Sequence, residues 1–371
     1  MQMSHQPGSS TKKFGDNVDW QIFGILTQDG ITSGAIYALL AIALVLVFSV
    51  TRVIFIPQGE FVAYGALTLA AIQNGVAPKV TWLLIAMGVL VFLLEAGTAL
   101  LQMRSRPGRN LLGRTIGLSA GKYLAYPTAV HAATQMLPLA TLPAAMQVLL
   151  TACIVVPLGP MLYRVAYQRL SQASVLVLLI VSVSVHFILT GTGLLVFGAE
   201  GTRTQPFNDF TMDVGGISIT GQSMTVVLTA VTLIVLLYLY FDRSLSGKAL
   251  RATAVNRLGA KLVAIGTEQT GKLAFTLAAA IGTLSGILIG PTTTLFYDSG
   301  FLIGLKGFVA AIVGGLVSYP LAALGAIFVG LLEAYCSFIA SEFKEVIVFT
   351  LIVPVLLWRS LAGRHLATDD H

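Results

Sequence analysis

Apolar runs of about 20 residues recur along this chain, and that is the length at which a helix crosses a roughly 30 Å hydrocarbon core. The first lies between Leu26 and Val50 and carries one charge, Asp29. Others are Trp82 to Leu101, Val175 to Phe197, Met224 to Phe241 and Leu273 to Gly290. None has the period-2 alternation of a barrel strand. Lipid offers no partner to backbone N–H and C=O groups, so such runs must satisfy them internally, as helices. Only 10% of the residues are charged, against about 25% in soluble domains. The expected fold is an all-α polytopic membrane protein, a helical bundle of about 9–11 spans including broken or re-entrant helices. Residues 1–20 read as a mobile tail, and 21–371 as the transmembrane domain.

Several runs are interrupted. After Arg52, the stretch Val53 to Ala66 holds Pro57 and Gly59, and Glu60 opens a new apolar segment. Pro157 and Pro160 break the run Ala144 to Tyr163. The segment Ile303 to Leu316 is short, glycine-flanked and contains Lys306, which suits a half-helix. The net charge of +6 does not mark a nucleic-acid binder. Its cations gather in short loops near Arg104, Arg164, Arg243 and Arg359, which the positive-inside rule places on one, cytoplasmic, side. That assignment requires an outward crossing between Arg114 and Leu142, in a stretch that is only moderately apolar.

The longest polar interruption of the second half is Asp242 to Gly271. It carries Arg243, Lys248, Arg251, Arg257 and Lys261, while Leu250, Ala254, Leu258 and Leu262 recur at helical spacing. A basic amphipathic helix of this kind either lies at the lipid headgroups or docks a soluble partner. The segment Gly266 to Lys272 nearly matches a phosphate-binding loop, but Leu273 stands where a hydroxyl is required and no strand precedes it.

Catalytic and metal signatures are missing from the sequence. The five histidines have no ligand-like spacing. Cys153 and Cys336 sit in apolar runs as small hydrophobes. Titratable groups inside apolar segments are costly and face the bundle interior. His186 reads as a satisfied interior histidine. Glu60 either complements a helix amino terminus or lines a pathway at a broken helix. Lys306 and Glu333 stand in neighbouring segments and are expected to pair, whereas Glu95 has no evident partner.

Five blocks carry a resemblance: Asp29–Ile54 with the interrupted helix through Gln58-Gly59-Glu60, Tyr163–Leu170, Ser246–Gly266, Leu305–Ala334 and Lys344–Arg359. In this order they resemble the LivH-type permeases of bacterial ABC importers for branched-chain amino acids, within the wider group that includes LivM and urea or sugar permeases. The resemblance implies a non-enzymatic translocation subunit in the inner membrane, with its carboxy terminus and the 243–270 loop cytoplasmic. Implied partners are membrane lipids, a LivM-type second permease subunit or a second copy, two cytoplasmic ABC ATPase subunits and a periplasmic solute-binding protein. No cofactor is expected on this chain, ATP being used by the partner subunits. Gln58, Gly59, Glu60 and Lys306 are implied at the solute pathway. Gly247, Arg251, Ala252, Leu258, Leu262 and Gly266 are implied in coupling to the ATPase.

Two departures stand out. The family pattern Asn-Phe-Ala-His-Gly-Glu/Asp is here Phe55-Ile56-Pro57-Gln58-Gly59-Glu60, so a titratable donor is absent at Gln58. Residues 82–143 look inserted, and an inserted pair of spans, one inward and one outward, keeps the topology of all that follows. Solutes of the urea, amide or aromatic acid classes fit the same blocks. An ion-coupled secondary transporter is the reading from another class, and would need carboxylates organised in repeats.

Overall fold

The computed structural model describes residues 10–105, 116–214, 217–316 and 318–357. The bundle is built round α1, Ser10–Thr51, whose residues Ala35 to Val47 are buried on every side. A helix apolar all round belongs at the centre of a bundle. It begins within the stretch expected as a tail, and stops where Arg52 takes a left-handed φ of 63° and its N–H caps the Phe48 carbonyl at 2.8 Å. Pro57 then allows a new start, α2, Gln58–Gln73. At 16 residues this helix is about 24 Å long, short of the full hydrocarbon thickness.

Helix α3, Val80–Ser105, is followed by a helical stretch from residue 116 that passes through a π-turn at Gly121–Ala125 into α4, Tyr126–Met136. The two run antiparallel. Thr81 Oγ1 lies 2.9 Å from His131 Nδ1, Gly88 abuts the Tyr123 carbonyl, and Ser119 donates to Glu95 at 2.5 Å. Next come α5, Ala144–Val155, and α6, Leu158–Leu162. A π-turn at Tyr163–Tyr167 and a 3-10 turn at Gln168–Leu170 complete that crossing. Pro157 breaks the run as expected, whereas Pro160 lies within the first turn of α6. Helix α7, Val175–Phe197, starts at the Ser174 cap. A hairpin pairs β1, Thr211–Val214, antiparallel with β2, Ile217–Thr220, and Thr220 caps α8, Gly221–Arg243. Helices α9, Leu245–Val255, and α10, Arg257–Leu262, form the polar interruption. The remainder is α11, Thr267–Ile289; α12, Ser299–Val313; α13, Tyr319–Ile339; and α14, Lys344–Thr350.

Among the described residues, 7 helices are long and apolar enough to cross a membrane. Helices α2 and α12 and the 116–136 stretch are the shorter elements between them. The loops after α1, α5–α6 and α8 gather at one end. There Leu46 and Val50 pack with Phe241, Leu250 and Ala274, Arg257 Nη1 donates to the Ser171 carbonyl at 2.8 Å, and Gln168 Nε2 donates to Glu268 at 2.5 Å. At the other end Gly24 meets Ile217, Thr27 and Tyr335 hydroxyls are 2.8 Å apart, and Gln73 Oε1 accepts from the Gln205 N–H at 2.9 Å. The arginines expected near Arg104 continue into residues 106–115, and Arg359 and Arg364 fall in 358–371; both stretches lie outside the described residues.

Two units repeat one plan in opposite directions: long helix, non-helical break, short helix. Helix α1 runs toward the basic end and α2 returns, whereas α11 runs away from it and α12 comes back. The two short helices overlap in the middle of the bundle.

Candidate functional site

The overlap of α2 and α12 is a contact of bare backbone. A Cβ added at Gly59 would strike the Gly300 carbonyl, and one added at Gly300 would strike the Gly59 carbonyl. Gly304 lies against Gly59 from the next turn. Small residues at such crossings let helices approach closely, and close packing is what holds helices together in lipid. Beside the crossing Gln58 is fully buried. Its Nε2 donates to the Ala278 carbonyl at 3.0 Å, and its Oε1 has no partner among the described residues.

Glu60, in the first turn of α2, lies with its Oε1 2.8 Å from His186 Nδ1. The His186 ring packs on Phe301 with centroids 4.6 Å apart, and Thr190 Oγ1 lies 3.4 Å from the same Nδ1. Glu60 Oε2 has no partner among the described residues, and the carboxylate borders a cavity of about 20 Å³ with Leu83, Met87 and Leu158. That is room for about one water. Glu60 thus stands at a helix amino terminus and directly after a break.

Phe55, in the break itself, is fully buried between Phe275 and Tyr167, at centroid distances of 4.7 and 6.1 Å. An apolar cavity of about 240 Å³ opens beside the break, walled by Leu44, Ile54, Phe55, Ile56, Phe301 and Leu305. Unwound backbone at membrane depth is tolerated where it is buried in protein or lines a cavity. Here it does both.

Lys306 is not part of this group. It lies on another face of α12, where Nζ donates to Glu333 Oε1 at 2.6 Å and stands 3.5 Å from Glu345 Oε1. Tyr37 donates to the other Glu333 oxygen at 2.6 Å. The pair read from the sequence is thus formed, with two further members supplied by α1 and α14.

In the polar loop the apolar spacing suggested one helix through Leu262, and the structure corrects this. Asn256 is extended, at φ −149° and ψ 102°, and its side chain accepts the Gly259 N–H at 2.8 Å. Capping a new helix ends the old one, because Asn competes well for exposed N–H groups. Leu250 is consequently buried in the bundle, while Leu258 and Leu262 are 70% and 81% exposed. Val255 and Val263 extend this exposed apolar tip. Of the other coupling candidates, Gly247 is buried and a Cβ there would meet the Tyr240 carbonyl. Arg251 is exposed and 3.6 Å from Asp242; Ala252 is half-buried. Gly266 caps α11, so the near phosphate-loop motif is the start of a spanning helix.

Sequence reasoning missed three features. Glu60 and His186 are 126 residues apart, yet each is a lone titratable group in an apolar span, the same logic that paired Lys306 with Glu333. Glu95 finds Ser119, with Arg164 and Lys272 at 3.6 and 3.9 Å. Arg257, one of the cations of the polar interruption, anchors the loop to Ser171.

A bundle of spanning helices with two opposed broken helices meeting at its centre is the architecture of a multi-pass membrane protein. Residues 110–356 match the family model described as the branched-chain amino acid transport system / permease component. This is more than half of the chain, and the chain belongs to that family. It is 31% identical over 205 residues to the high-affinity branched-chain amino acid transport system permease protein LivH of Escherichia coli K12, covering 52% of this chain and 65% of that one. It is 29% identical over 248 residues to the corresponding permease protein BraD of Pseudomonas aeruginosa, covering 64% and 80%. A probable LivH of Methanocaldococcus jannaschii is 28% identical over 181 residues, covering 46% and 56%. The chain thus spans 65% of the length of the first of these relatives. No solved structure matches it.

Proposed function

We propose that the protein is the translocation subunit of an ABC importer for branched-chain or similar small apolar amino acids, in a bacterial inner membrane. The observation that carries this reading is the apolar tip of Val255, Leu258, Leu262 and Val263, exposed at the end where the basic loops gather. Exposed apolar residues on a projecting loop at the water side call for a protein partner, and the cytoplasmic ATPase subunits are that partner. Arg251 and Ala252 flank the tip, Gly247 packs the first turn of α9 against the Tyr240 carbonyl, and Gly266 caps the spanning helix that follows. ATP is then consumed outside this chain. The solute passes the crossing of α2 and α12, where Gln58, Gly59 and Glu60 stand, and the neighbouring cavity of about 240 Å³ suits an aliphatic side chain. The second permease subunit is of LivM type or a further copy, and a periplasmic binding protein delivers solute at the opposite end. In this orientation α3 and the 116–136 stretch are an inward and an outward crossing, the pair carried by residues 82–143.

The test is reconstitution in vesicles with ATPase, second permease and binding-protein subunits of a branched-chain amino acid importer. Leu258→Asp places a charge in the docking tip and is expected to leave ATP hydrolysis running while uptake is lost. Intact coupling refutes the docking role. The buried Glu60–His186 pair favours one other reading, an ion-coupled transporter working alone. Uptake driven by an ion gradient, without ATPase subunits, would establish it instead.

A further inference from the structure

At the basic end, the inserted segment and the rest of the bundle enclose a polar site between them. Its wall on the α3 side is Leu94 and Thr98; the facing wall is Arg164, Gln168, Arg169 and Glu268, round a cavity of about 330 Å³. Charges converge behind it. Glu95 lies between the Arg164 guanidinium at 3.6 Å and the Lys272 ammonium at 3.9 Å, and it also accepts from Ser119. One carboxylate held by two cations leaves a surplus positive charge. Glu268 accepts from Gln168, and Arg169 is exposed on the rim. Lys122 stands over the Tyr123 ring on the adjoining π-turn, 5.4 Å from its centroid. Counting Arg164, Arg169, Lys272 and Lys122 against Glu95 and Glu268, the site is cationic. Gln168 Oε1 is buried with no partner among the described residues, which leaves an acceptor for a hydroxyl.

We infer that this cavity binds the phosphodiester headgroup of an anionic phospholipid from the basic-side leaflet. Three features select a lipid. The site sits at the ends of spanning helices, at headgroup level. It joins cations to an apolar wall, Leu94, along which an acyl chain lies. Basic pockets between spanning helices on the cytoplasmic side are of the kind that hold anionic headgroups. The guanidinium of Arg169, which has no ion-pair partner among the described residues, donates to the phosphate, and a glycerol hydroxyl of the headgroup meets Gln168 Oε1. The lipid ties the inserted α3 to the α5–α6 crossing. This site is separate from the α2–α12 crossing and does not depend on the proposed transport reading.

The experiment is native mass spectrometry of the full chain in detergent, titrated with phosphatidylglycerol, phosphatidylcholine or inorganic phosphate. Saturable retention of phosphatidylglycerol alone is expected, unaffected by inorganic phosphate. Arg169→Glu should weaken it about tenfold, the scale of one charge-assisted hydrogen bond. Arg243→Glu, a charge reversal at the same end but outside the cavity, should not. Arg169 is exposed, and unchanged thermal unfolding of the variant confirms its fold. Equal retention of phosphatidylcholine, equal loss in both variants, or displacement by inorganic phosphate overturns the inference.

Discussion

Replacing Lys306 by Met and Glu333 by Gln, singly and together, tests whether the network between α12 and α13 acts as one unit. The two side chains are 8% and 15% exposed and 2.6 Å apart. Lys306→Met leaves a buried carboxylate with the Tyr37 hydroxyl as its remaining donor, and breaking a buried pair this way costs about 3–5 kcal/mol. Glu333→Gln is milder. The amide still accepts from Tyr37, and the ammonium keeps Glu345 at 3.5 Å, so the loss is about 1–3 kcal/mol. In the double variant no buried charge remains and the Tyr37 hydroxyl is still satisfied. Its stability should fall within about 2 kcal/mol of the parent, since neutral replacement of a buried pair costs little. The summed single losses of about 4–8 kcal/mol thus exceed the double loss by at least 2 kcal/mol. Reversible unfolding in mixed micelles measures all four corners. Additivity within about 0.5 kcal/mol refutes the reasoning, because independent sites add to that precision. Uptake by the double variant then reports on Lys306 itself: retained transport assigns it to the pair, lost transport to the solute pathway.

Two shorter tests bear on the centre and on residues 82–143. Gly59→Val puts a branched side chain into the Gly300 carbonyl, and uptake should vanish while the ATPase subunits still co-purify; normal uptake would contradict the crossing. A cysteine at Gly117, where a Cβ meets nothing within 4 Å, and one at Thr141, which is exposed, should label from opposite sides of the membrane. Labelling from one side removes the inserted pair of spans.

Much of the architecture was legible because lipid forces local solutions. Span length, the break at Pro57 and the short segment round Lys306 all follow from residues adjacent in sequence, and the loops near Arg164 and Arg243 gather at one end, as the clustering of arginines led one to expect. What escaped was long-range pairing and local competition. Nothing near Glu95 names Ser119, Arg164 and Lys272, which come from three other elements. The helix through Leu250 and Leu262 failed for a different reason. Periodicity measures the average over several turns, whereas Asn256 acts at one residue, and a single side-chain cap outweighed the pattern. The break that buries Leu250 and exposes Leu258 gives the two leucines opposite duties. The gap at Gln58, read as a lost titratable donor, acquires a sharper sense as well, since His186 supplies an imidazole to the same turn from across the bundle.

The meeting of Gly59 and Gly300 has a consequence for how this protein can vary. In most cores an enlarged residue is accommodated by shrinking its neighbour, and pairs of positions exchange volume. Here each partner is already the smallest residue, and each is blocked by the other's main chain rather than by a side chain that could be trimmed. A methyl added on one side has no reciprocal deletion on the other. Second-site revertants of Gly59→Ala should therefore arise where helices shift as bodies, at the ends of α2 and α12, and never at position 300.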